Sequence, residues 1–259
     1  MDTIDNVNIS ASEPVVFFTG AGISADDCGL PTYRGTNGIY STNVATPLHR
    51  DNAQPERVHT VWNHVDSILR AGRGPGSAHI AIAQFAASAA PVTVVTQNID
   101  GYHERAFRDC GVDAPVWALH GSAHTAACLR PECGTLFTPA TRRNSEGAPL
   151  CPSCQAVSRP RVVLFDERLN PEVLAGAQQA MQRAWTVVVV GTSCEVFPAA
   201  HLVYQAVDAG AKVVWVNPLP APASLVDACR GNQLVQLHGS ADTVVPEILH
   251  RHLNDAVDR

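Results

Sequence analysis

The segment Val15-Val-Phe-Phe-Thr-Gly-Ala-Gly-Ile-Ser24 joins a short apolar run to a glycine turn. A run of valine and phenylalanine that stops at glycine is typical of a buried strand. The spacing Gly20-x-Gly22-x-x-Ala25 fits the strand-to-helix turn that receives a dinucleotide pyrophosphate, because glycine lets backbone amides approach the phosphates. The acidic residue expected about 20 positions further on is missing, so the turn does not predict an ordinary dehydrogenase.

Further apolar runs predict the rest of a parallel sheet, since strands that alternate with helical patterns are typical of α/β folds. The predicted strands cover residues 15–19, 92–96, 116–119, 162–165, 186–190, 212–216 and 234–237. Helices are predicted to begin at Pro55, Ser77, Asn170 and Asp242. In the first of them, an apolar stripe that includes Trp62 and Val65 indicates a side that faces the core.

Composition limits the classes of function. The chain has 259 residues and 46% hydrophobic content, enough for one large domain or one domain with a small insertion. Its net charge of -6, without a dense Lys/Arg cluster, disfavours nonspecific binding to nucleic acid or anionic membranes. No apolar run approaches about 18 residues and the first residues are polar, so neither a membrane span nor a secretory signal is predicted. We expect a cytoplasmic protein with a small-molecule or acyl-peptide partner.

Four of the eight cysteines form two short pairs, Cys128-x4-Cys133 and Cys151-x2-Cys154. Two such pairs separated by a loop are typical of a tetrathiolate zinc site, and prolines and a glycine beside them favour the tight turns that such a site needs. Four thiolates fill the coordination shell of the metal. The sequence therefore predicts one structural Zn²⁺ per chain, without an open position for a catalytic water.

Polar residues follow the predicted strands directly. Gln97-Asn-Ile-Asp100 follows one strand, His120 follows the next, and Gly191-Thr-Ser193 and Asn217 follow two later strands. In an open parallel sheet such residues lie at the carboxyl edge, where ligands bind. Taken singly, Asn98 or Asp100 could cap a helix and a lone histidine is most often structural. Their convergence with the glycine turn favours a ligand site.

With these residues the chain resembles the sirtuin family of NAD-dependent protein deacylases over nearly its whole length. The matching segments, in the family's order, are Gly20-Ala-Gly-Ile-Ser24, Gly29-Leu-Pro-Thr-Tyr-Arg34, Gln97-Asn-Ile-Asp100, Leu119-His-Gly121, the four cysteines, Val162-Val-Leu-Phe165, Gly191-Thr-Ser193 and Val216-Asn217. The resemblance implies a Rossmann-like NAD-binding domain made of residues 1–39, 77–124 and 158–259. It also implies a smaller lobe made of a helical module, residues 40–76, and a zinc-binding module, residues 125–157.

The resemblance also implies where NAD binds as a co-substrate. The residues that would contact it are Gly20, Ala21, Gly22, Ser24, Tyr33, Arg34, Gln97, Asn98, Ile99, Asp100, Gly191, Thr192, Ser193 and Asn217. The glycine turn would hold the pyrophosphate, and Asn98 with Asp100 would shape the nicotinamide pocket. Ser193 and Asn217 would fix the adenosine half, with Asn217 in the role of the missing acidic residue.

His120 and Asn98 are the catalytic residues that the resemblance implies. In the family's mechanism the acyl oxygen attacks the ribose carbon as nicotinamide leaves, and His120 then acts as general base on a ribose hydroxyl. The products are nicotinamide, O-acyl-ADP-ribose and free lysine. A neutral imidazole is a suitable base for this step, with a typical contribution of ~10²–10⁴-fold.

The expected partners are acyl-lysine proteins or peptides, which would enter between the two lobes. The predicted substrate-binding residues are Ala45, Trp62, Val65, Val163, Phe165, Asp166, Glu167 and Glu195. Asp166 stands where the family usually has glycine, and Tyr33 where it usually has phenylalanine. Trp62 and Val65 take the positions of the Tyr and Arg that grip acidic acyl groups in one branch of the family. The segment around Ala45 resembles the small-residue version of the desuccinylase and demalonylase branch, where alanine widens the pocket. Without that arginine, however, a neutral acyl group, acetyl or somewhat longer, is expected.

Other functions compete with this prediction. His120-x3-His124 beside the cysteines suggests a zinc hydrolase, but a glycine interrupts the motif and four thiols already saturate one zinc. A sirtuin-type mono-ADP-ribosyltransferase or NAD hydrolase would leave the peptide site unused, and it has little need of a histidine base. A non-catalytic NAD sensor or acyl-lysine-binding module is least favoured, because Asn98, Asp100 and His120 are all present.

Overall fold

The computed structural model describes residues 4–7, 9–10, 12–32, 48–88, 91–139 and 143–257. Tyr33, Arg34 and Ala45 lie outside these ranges. Six parallel strands form the main sheet, in the spatial order β3-β2-β1-β7-β8-β9. They are β1 (Val15–Thr19), β2 (Val92–Thr96), β3 (Val116–Ala118), β7 (Thr186–Val190), β8 (Lys212–Val216) and β9 (Leu234–Leu237). The prediction of a Rossmann-like parallel sheet is confirmed.

The carboxyl ends of the central strands are level with one another. Thr19 of β1 pairs with Thr96 of β2 on one side and with Val190 of β7 on the other. Val190 in turn pairs with Val216 of β8. Residues that directly follow these strands therefore meet along one edge of the sheet, which is where parallel α/β sheets bind ligands.

Helices cover both faces of the sheet. They are α2 (Ser77–Ser88), α3 (Tyr102–Asp109) and α7 (Ala241–Val257) on one face, and α4 (Pro171–Arg183), α5 (His201–Asp208) and α6 (Ala223–Ala228) on the other. Successive side chains of β1 point to opposite faces of the sheet. Phe17 packs with the helices of the first face and Phe18 with those of the second. The predicted helix starts at Ser77 and Asn170 are close to the observed ones; Asn170 caps α4 by accepting from Glu172 N and Val173 N.

A second, antiparallel sheet of three strands forms the smaller lobe: β4 (Gly121–Cys128) lies between β5 (Leu136–Phe137) and β6 (Ser158–Val162). The prediction that residues 162–165 continue the main sheet is wrong, because the strand ends at Val162 and pairs with Gly121 of β4. An apolar run alone does not reveal which sheet it joins. The small sheet thus begins before residue 125 and ends after residue 157, and the predicted module boundaries stay a prediction.

Helix α1 (Val58–Ala71) packs against the small sheet. It begins three residues after Pro55, which lies in a turn, so that predicted start is wrong. The carboxylate of Asp66 on α1 accepts two bonds from Arg143, at 2.7 and 3.3 Å, and the Arg143 guanidinium lies 5.7 Å from the Trp62 ring centroid. This ion pair ties the cysteine-bearing segment to α1. In the described part of the chain no helix has the length and apolar character needed to cross a membrane.

Candidate active site

The glycine turn after β1 packs directly against the loop after β7. Gly20 N donates to Val190 O at 3.0 Å and Gly22 N donates to Gly191 O at 2.8 Å. A Cβ on Gly22 would lie 2.7 Å from Gly191 Cα, and one on Gly191 would lie 2.4 Å from Ile23 N. The amides of Gly20 and Gly22 are therefore used within the protein. These glycines are required for contact between the two loops, rather than to offer their own N–H groups to phosphate.

We expect Gly191→Ala to lower the free energy of unfolding by about 3 kcal/mol or more and to weaken NAD binding about tenfold or more. Gly191 has φ +61°, and its added Cβ would strike the backbone of the opposite loop. Gly210→Ala is the matched control, because Gly210 has φ +95° but open space around it; we expect about 1–2 kcal/mol there. Thermal melts and NAD calorimetry measure both effects. If the two variants lost the same free energy of unfolding, the contact between the two loops would be contradicted.

Asp100 lies at the centre of a buried hydrogen-bond network behind the glycine turn. It is 4% exposed; one carboxylate oxygen accepts from Ser24 Oγ at 2.8 Å, and the other from Tyr102 N at 3.0 Å. Asn98 Nδ2 donates to the same Ser24 Oγ at 3.2 Å. Burial raises the pKa of Asp100, against the opposing effect of these donors. Asp100 thus caps the start of α3 and also fixes the predicted nicotinamide pocket.

His79 of α2 adds a further contact to this network through Ser24. The sequence analysis did not predict this role. Its Nδ1 accepts from Gly76 N at 3.3 Å, which leaves the proton on Nε2, 3.5 Å from Ser24 Oγ. Burial lowers the pKa of His79 to about 3, so the ring is neutral at physiological pH. No motif marks this residue; a histidine within the alanine-rich pattern of α2 was the available signal.

His120 follows β3 and is held in one tautomer by the neighbouring strand end. Its Nδ1 lies 2.8 Å from Gln97 O, and because a carbonyl oxygen only accepts, Nδ1 carries the proton and Nε2 is free to act as a base. His120 O accepts from Val163 N at 2.8 Å, which fixes the backbone. Burial lowers the pKa of His120, although the bond to Gln97 acts in the opposite direction. The imidazole is therefore neutral near pH 7.

The loop after β7 gathers most of the remaining predicted NAD residues. Thr192 Oγ1 accepts from Gln97 Nε2 at 2.9 Å, and Thr192 O accepts from Asn217 Nδ2 at 2.9 Å. Asn217 Oδ1 accepts from Leu219 N at 3.1 Å. The structure thus brings Gln97, Thr192 and Asn217 together at the sheet edge. These two bonds use one N–H of Asn217 Nδ2 and one lone pair of Oδ1, so each atom keeps further capacity for a ribose hydroxyl.

The predicted peptide-contact residues after Val162 form a tight turn. Glu167 accepts two bonds from Arg159, at 2.6 and 2.8 Å, and one from Leu164 N at 2.9 Å. Burial acts to raise the pKa of Glu167, but these donors lower it overall. Asp166, at φ 67°, lies 2.9 Å from His49 Nε2. Glu167 therefore fixes the turn, and Asp166 presents less free charge to a peptide than an unpaired aspartate would. Phe165 and Glu195 are both exposed.

The two predicted acyl-pocket residues on α1 lie in different surroundings. Trp62 packs against Ala126 and Ala148 of the small lobe, and its Nε1 donates to Ser158 O at 2.8 Å. Val65 lies in an apolar cluster with Leu48 and Leu164, and Ile99 packs against that cluster. Trp62 therefore supports the lobe from within, whereas Val65 is fully buried in the cluster against which Ile99 packs.

The four predicted metal ligands lie together. The Sγ atoms of Cys128, Cys133, Cys151 and Cys154 all lie within 4.8 Å of one another, with separations of 3.5 Å for Cys128–Cys154 and 3.7 Å for Cys133–Cys151. A tetrahedral zinc with Zn–S bonds of about 2.3 Å requires S···S distances of about 3.8 Å, so the cluster fits this metal. Within the described ranges it is the only group of three or more metal-ligating side chains. His124 is not part of it, because its Nε2 lies 2.7 Å from Asp100 O.

Together the fold and the site define a class: an α/β protein with a dinucleotide-type glycine turn, a neutral histidine at the same sheet edge, and a four-cysteine lobe. The model of the Sir2 family matches residues 20–198, and the chain belongs to this family.

Similar proteins carry a common name. The chain is 35% identical over 247 residues to an NAD-dependent protein deacylase of Thermococcus kodakarensis, with 91% of this chain and 90% of the relative covered. It is 37% identical over 250 residues to an NAD-dependent protein deacylase of Mycobacterium tuberculosis, with 92% and 97% covered.

Two solved structures share the fold. A Sir2–p53 peptide–NAD+ complex superposes with a TM-score of 0.72 at 30% identity, covering 96% of this chain and 95% of that one. A complex of a Sir2 homolog with NAD superposes with a TM-score of 0.73 at 30% identity, covering 94% and 90%.

Proposed function

We propose that this protein removes acyl groups from lysine side chains of proteins or peptides and consumes NAD as a co-substrate. The observation that carries the proposal is the bond from His120 Nδ1–H to Gln97 O at 2.8 Å, which leaves Nε2 as a base at the sheet edge. The family membership and the name shared by the two relatives support it.

NAD supplies a ribose carbon from which the cationic nicotinamide leaves readily, so the protein has mainly to position groups and exclude water. The acyl oxygen of the substrate would bond to the ribose carbon as nicotinamide leaves, and His120 would then take a proton from a ribose hydroxyl, so that this oxygen can attack the acyl carbon. One water would complete transfer of the acyl group to the ribose as the lysine amine departs with a proton. Asp100, Asn98 and Ser24 hold one another in place beside the proposed nicotinamide site. The products are nicotinamide, O-acyl-ADP-ribose and deacylated lysine.

Product analysis tests this proposal. The protein is incubated with NAD and an acetyl-lysine peptide, and the products are identified by mass spectrometry, with a reaction lacking NAD as control. O-acetyl-ADP-ribose in equal amount to deacylated peptide is the expected result. ADP-ribosylated peptide, or free ADP-ribose beside an unchanged peptide, would instead indicate a transferase or an NAD hydrolase. Deacylation without NAD would overturn the proposal.

The acyl group is proposed to be neutral. The hydrophobic side chains that cluster with Val65 are Leu48, Val61, Ala123, Val162 and Leu164, with Ala53, Leu69 and Ile99 packed against them. None of these can form a charge-assisted bond to an acyl carboxylate, and burying an unpaired carboxylate is costly. Ala45 is proposed to contribute to the same pocket.

We expect acetyl- and butyryl-lysine peptides to react with a kcat/KM at least about tenfold higher than succinyl- and malonyl-lysine peptides of the same sequence. The reason is that the apolar side chains of the Val65 cluster cannot form a charge-assisted bond with an acyl carboxylate. Nicotinamide release measured on the four peptides checks this. The variant Val65→Arg adds a cation to the cluster and should reduce the difference in kcat/KM between the butyryl-lysine and succinyl-lysine peptides. A wild-type preference for succinyl would contradict the neutral pocket.

We also propose that the four cysteines hold one structural Zn²⁺. When bound, the metal would cross-link Cys128 and Cys133 to Cys151 and Cys154, and so fix the segment that carries Arg143. No step of the acyl transfer is assigned to it, since four thiolates leave no open coordination position.

A further inference from the structure

A chain of buried hydrogen bonds runs beneath the active site. Thr19 and Thr96 end the two central strands β1 and β2, and both are buried, at 0% and 2% exposure. Thr19 Oγ1 donates to Thr96 Oγ1 at 2.8 Å. His103 of α3, 1% exposed, places Nε2 3.0 Å from the same Thr19 Oγ1. Three polar side chains from three elements are thus linked in the interior.

The peptide group between Gln97 and Asn98 joins this chain to His120. Its N–H donates to Thr96 Oγ1 at 3.1 Å, and its C=O accepts the Nδ1 proton of His120 at 2.8 Å. The peptide group is planar and rigid, so the orientation of its N–H also sets that of its C=O. The bond that selects the His120 tautomer therefore depends on where Thr96 holds this peptide.

The direction of the bonds follows from the donors available. Because Thr19 gives its hydroxyl proton to Thr96, Nε2 of His103 must be the donor to Thr19. Nδ1 of His103 has no hydrogen-bond partner in the described part of the chain. Leaving that atom without a proton avoids a buried N–H that lacks an acceptor. Burial, and to a lesser extent the neighbouring His79, hold the pKa of His103 well below its usual range.

We infer that His103 is a positioning residue for the catalytic base: through Thr19, Thr96 and the Gln97–Asn98 peptide it orients the carbonyl that holds His120. This inference rests on the proposed function. Thr96 Oγ1 accepts from both Thr19 Oγ1 and Asn98 N, so the chain acts on the Gln97–Asn98 peptide by fixing the position of this oxygen and not by polarising the Gln97 C=O. We place the main effect of His103 on His120, because the Asn98 side chain is held separately by Ser24 Oγ.

The test compares His103→Leu, which removes the donor, with His103→Gln, which restores an N–H the same number of bonds from the backbone. Two reactions are measured: deacylation, and exchange of labelled nicotinamide into NAD, which reports steps before His120 acts. We expect His103→Leu to lower deacylation about tenfold, with exchange changed less than about twofold. His103→Gln should recover most of the loss. The acid limb of the deacylation pH profile should also move to lower pH in His103→Leu, because the bond to Gln97 raises the pKa of His120 and the variant weakens that bond.

Thr19→Val interrupts the same chain with a side chain of equal shape, so it keeps the test valid if His103→Leu folds poorly. We expect Thr19→Val to lower deacylation as much as His103→Leu does. The double variant should lose no more activity than either single variant, because the two residues act in series. Thr186→Val is its control, since Thr186 is equally buried at the opposite end of β7 and its hydroxyl has no partner in the described residues. His64→Leu on α1 controls for loss of a histidine.

The outcomes are separable. A wild-type protein that deacylates no peptide in the presence of NAD refutes the proposed function. A wild-type enzyme that is active, with His103→Leu and Thr19→Val both within about twofold of it, refutes the positioning role. So does an equal loss of deacylation and of nicotinamide exchange, because a merely structural residue would lower both. Loss of deacylation alone, rescued by glutamine, supports it.

Discussion

His120→Ala is expected to reduce deacylation of an acetyl-lysine peptide by about 10³-fold or more, while the affinity for NAD changes by less than about threefold. The imidazole supplies the base that takes the ribose proton, and general bases contribute ~10²–10⁴-fold. The ring is held by Gln97 O, so its loss leaves the contact between Gly22 and Gly191 in place. Peptide turnover and NAD calorimetry on the same preparation measure the two effects.

His120→Asn separates the two tasks of this residue. An asparagine amide can still donate to Gln97 O but cannot accept a proton, so it should be as inactive as alanine. In the wild type, deacylation requires the neutral ring, and burial lowers its pKa below the usual 6.5. The acid limb of the pH profile should therefore be centred below pH 6.5. An acid limb above pH 6.5, or turnover by His120→Asn, would contradict the assignment.

The second large effect is expected from the cysteine cluster. Cys151→Ser should abolish stoichiometric zinc binding and lower the free energy of unfolding by about 3 kcal/mol or more, which corresponds to about 6–12 °C in Tm. Metal binding and folding are coupled, since the four sulfurs come together only in the folded lobe. Zinc analysis and thermal melts on the purified protein measure both quantities.

Cys229→Ser is the control for this experiment, because Cys229 is half-buried and lies outside the cluster. It should retain zinc and melt within about 2–4 °C of the wild type. Chelation should have the same effect as Cys151→Ser. A chelated protein that kept its melting temperature and lost only turnover would show that the metal is catalytic, and would overturn the structural assignment.

Features with a local cause were predictable from the sequence. The strands are short runs of β-branched residues between turn signals, the glycine turn has a fixed spacing, and the cysteine pairs have metal-ligand spacing. His120 and Asp100 were found because polar residues after parallel strands share one edge. These rules need no knowledge of distant contacts.

Features that depend on tertiary contacts were not predictable. The apolar run 162–165 resembles the strands of the main sheet, but the strand that forms is Ser158–Val162 and it joins the small sheet. The glycines were predicted to serve phosphate, but it is a loop from a distant part of the chain that excludes a Cβ there. His79, His103 and the Arg143–Asp66 pair carry no motif. Their roles follow only from the packing around them.

The pairing of β1 with β7 constrains how the protein is made. Val15 pairs with Thr186, so the strand synthesised first waits for most of the chain before its second neighbour exists. The turn at Gly20 and Gly22 likewise lacks its counterpart until Gly191 has emerged from the ribosome. Such long sequence separation slows folding, and domains generally fold as units during synthesis. The contact between these two loops therefore forms only after about three quarters of the chain has been synthesised.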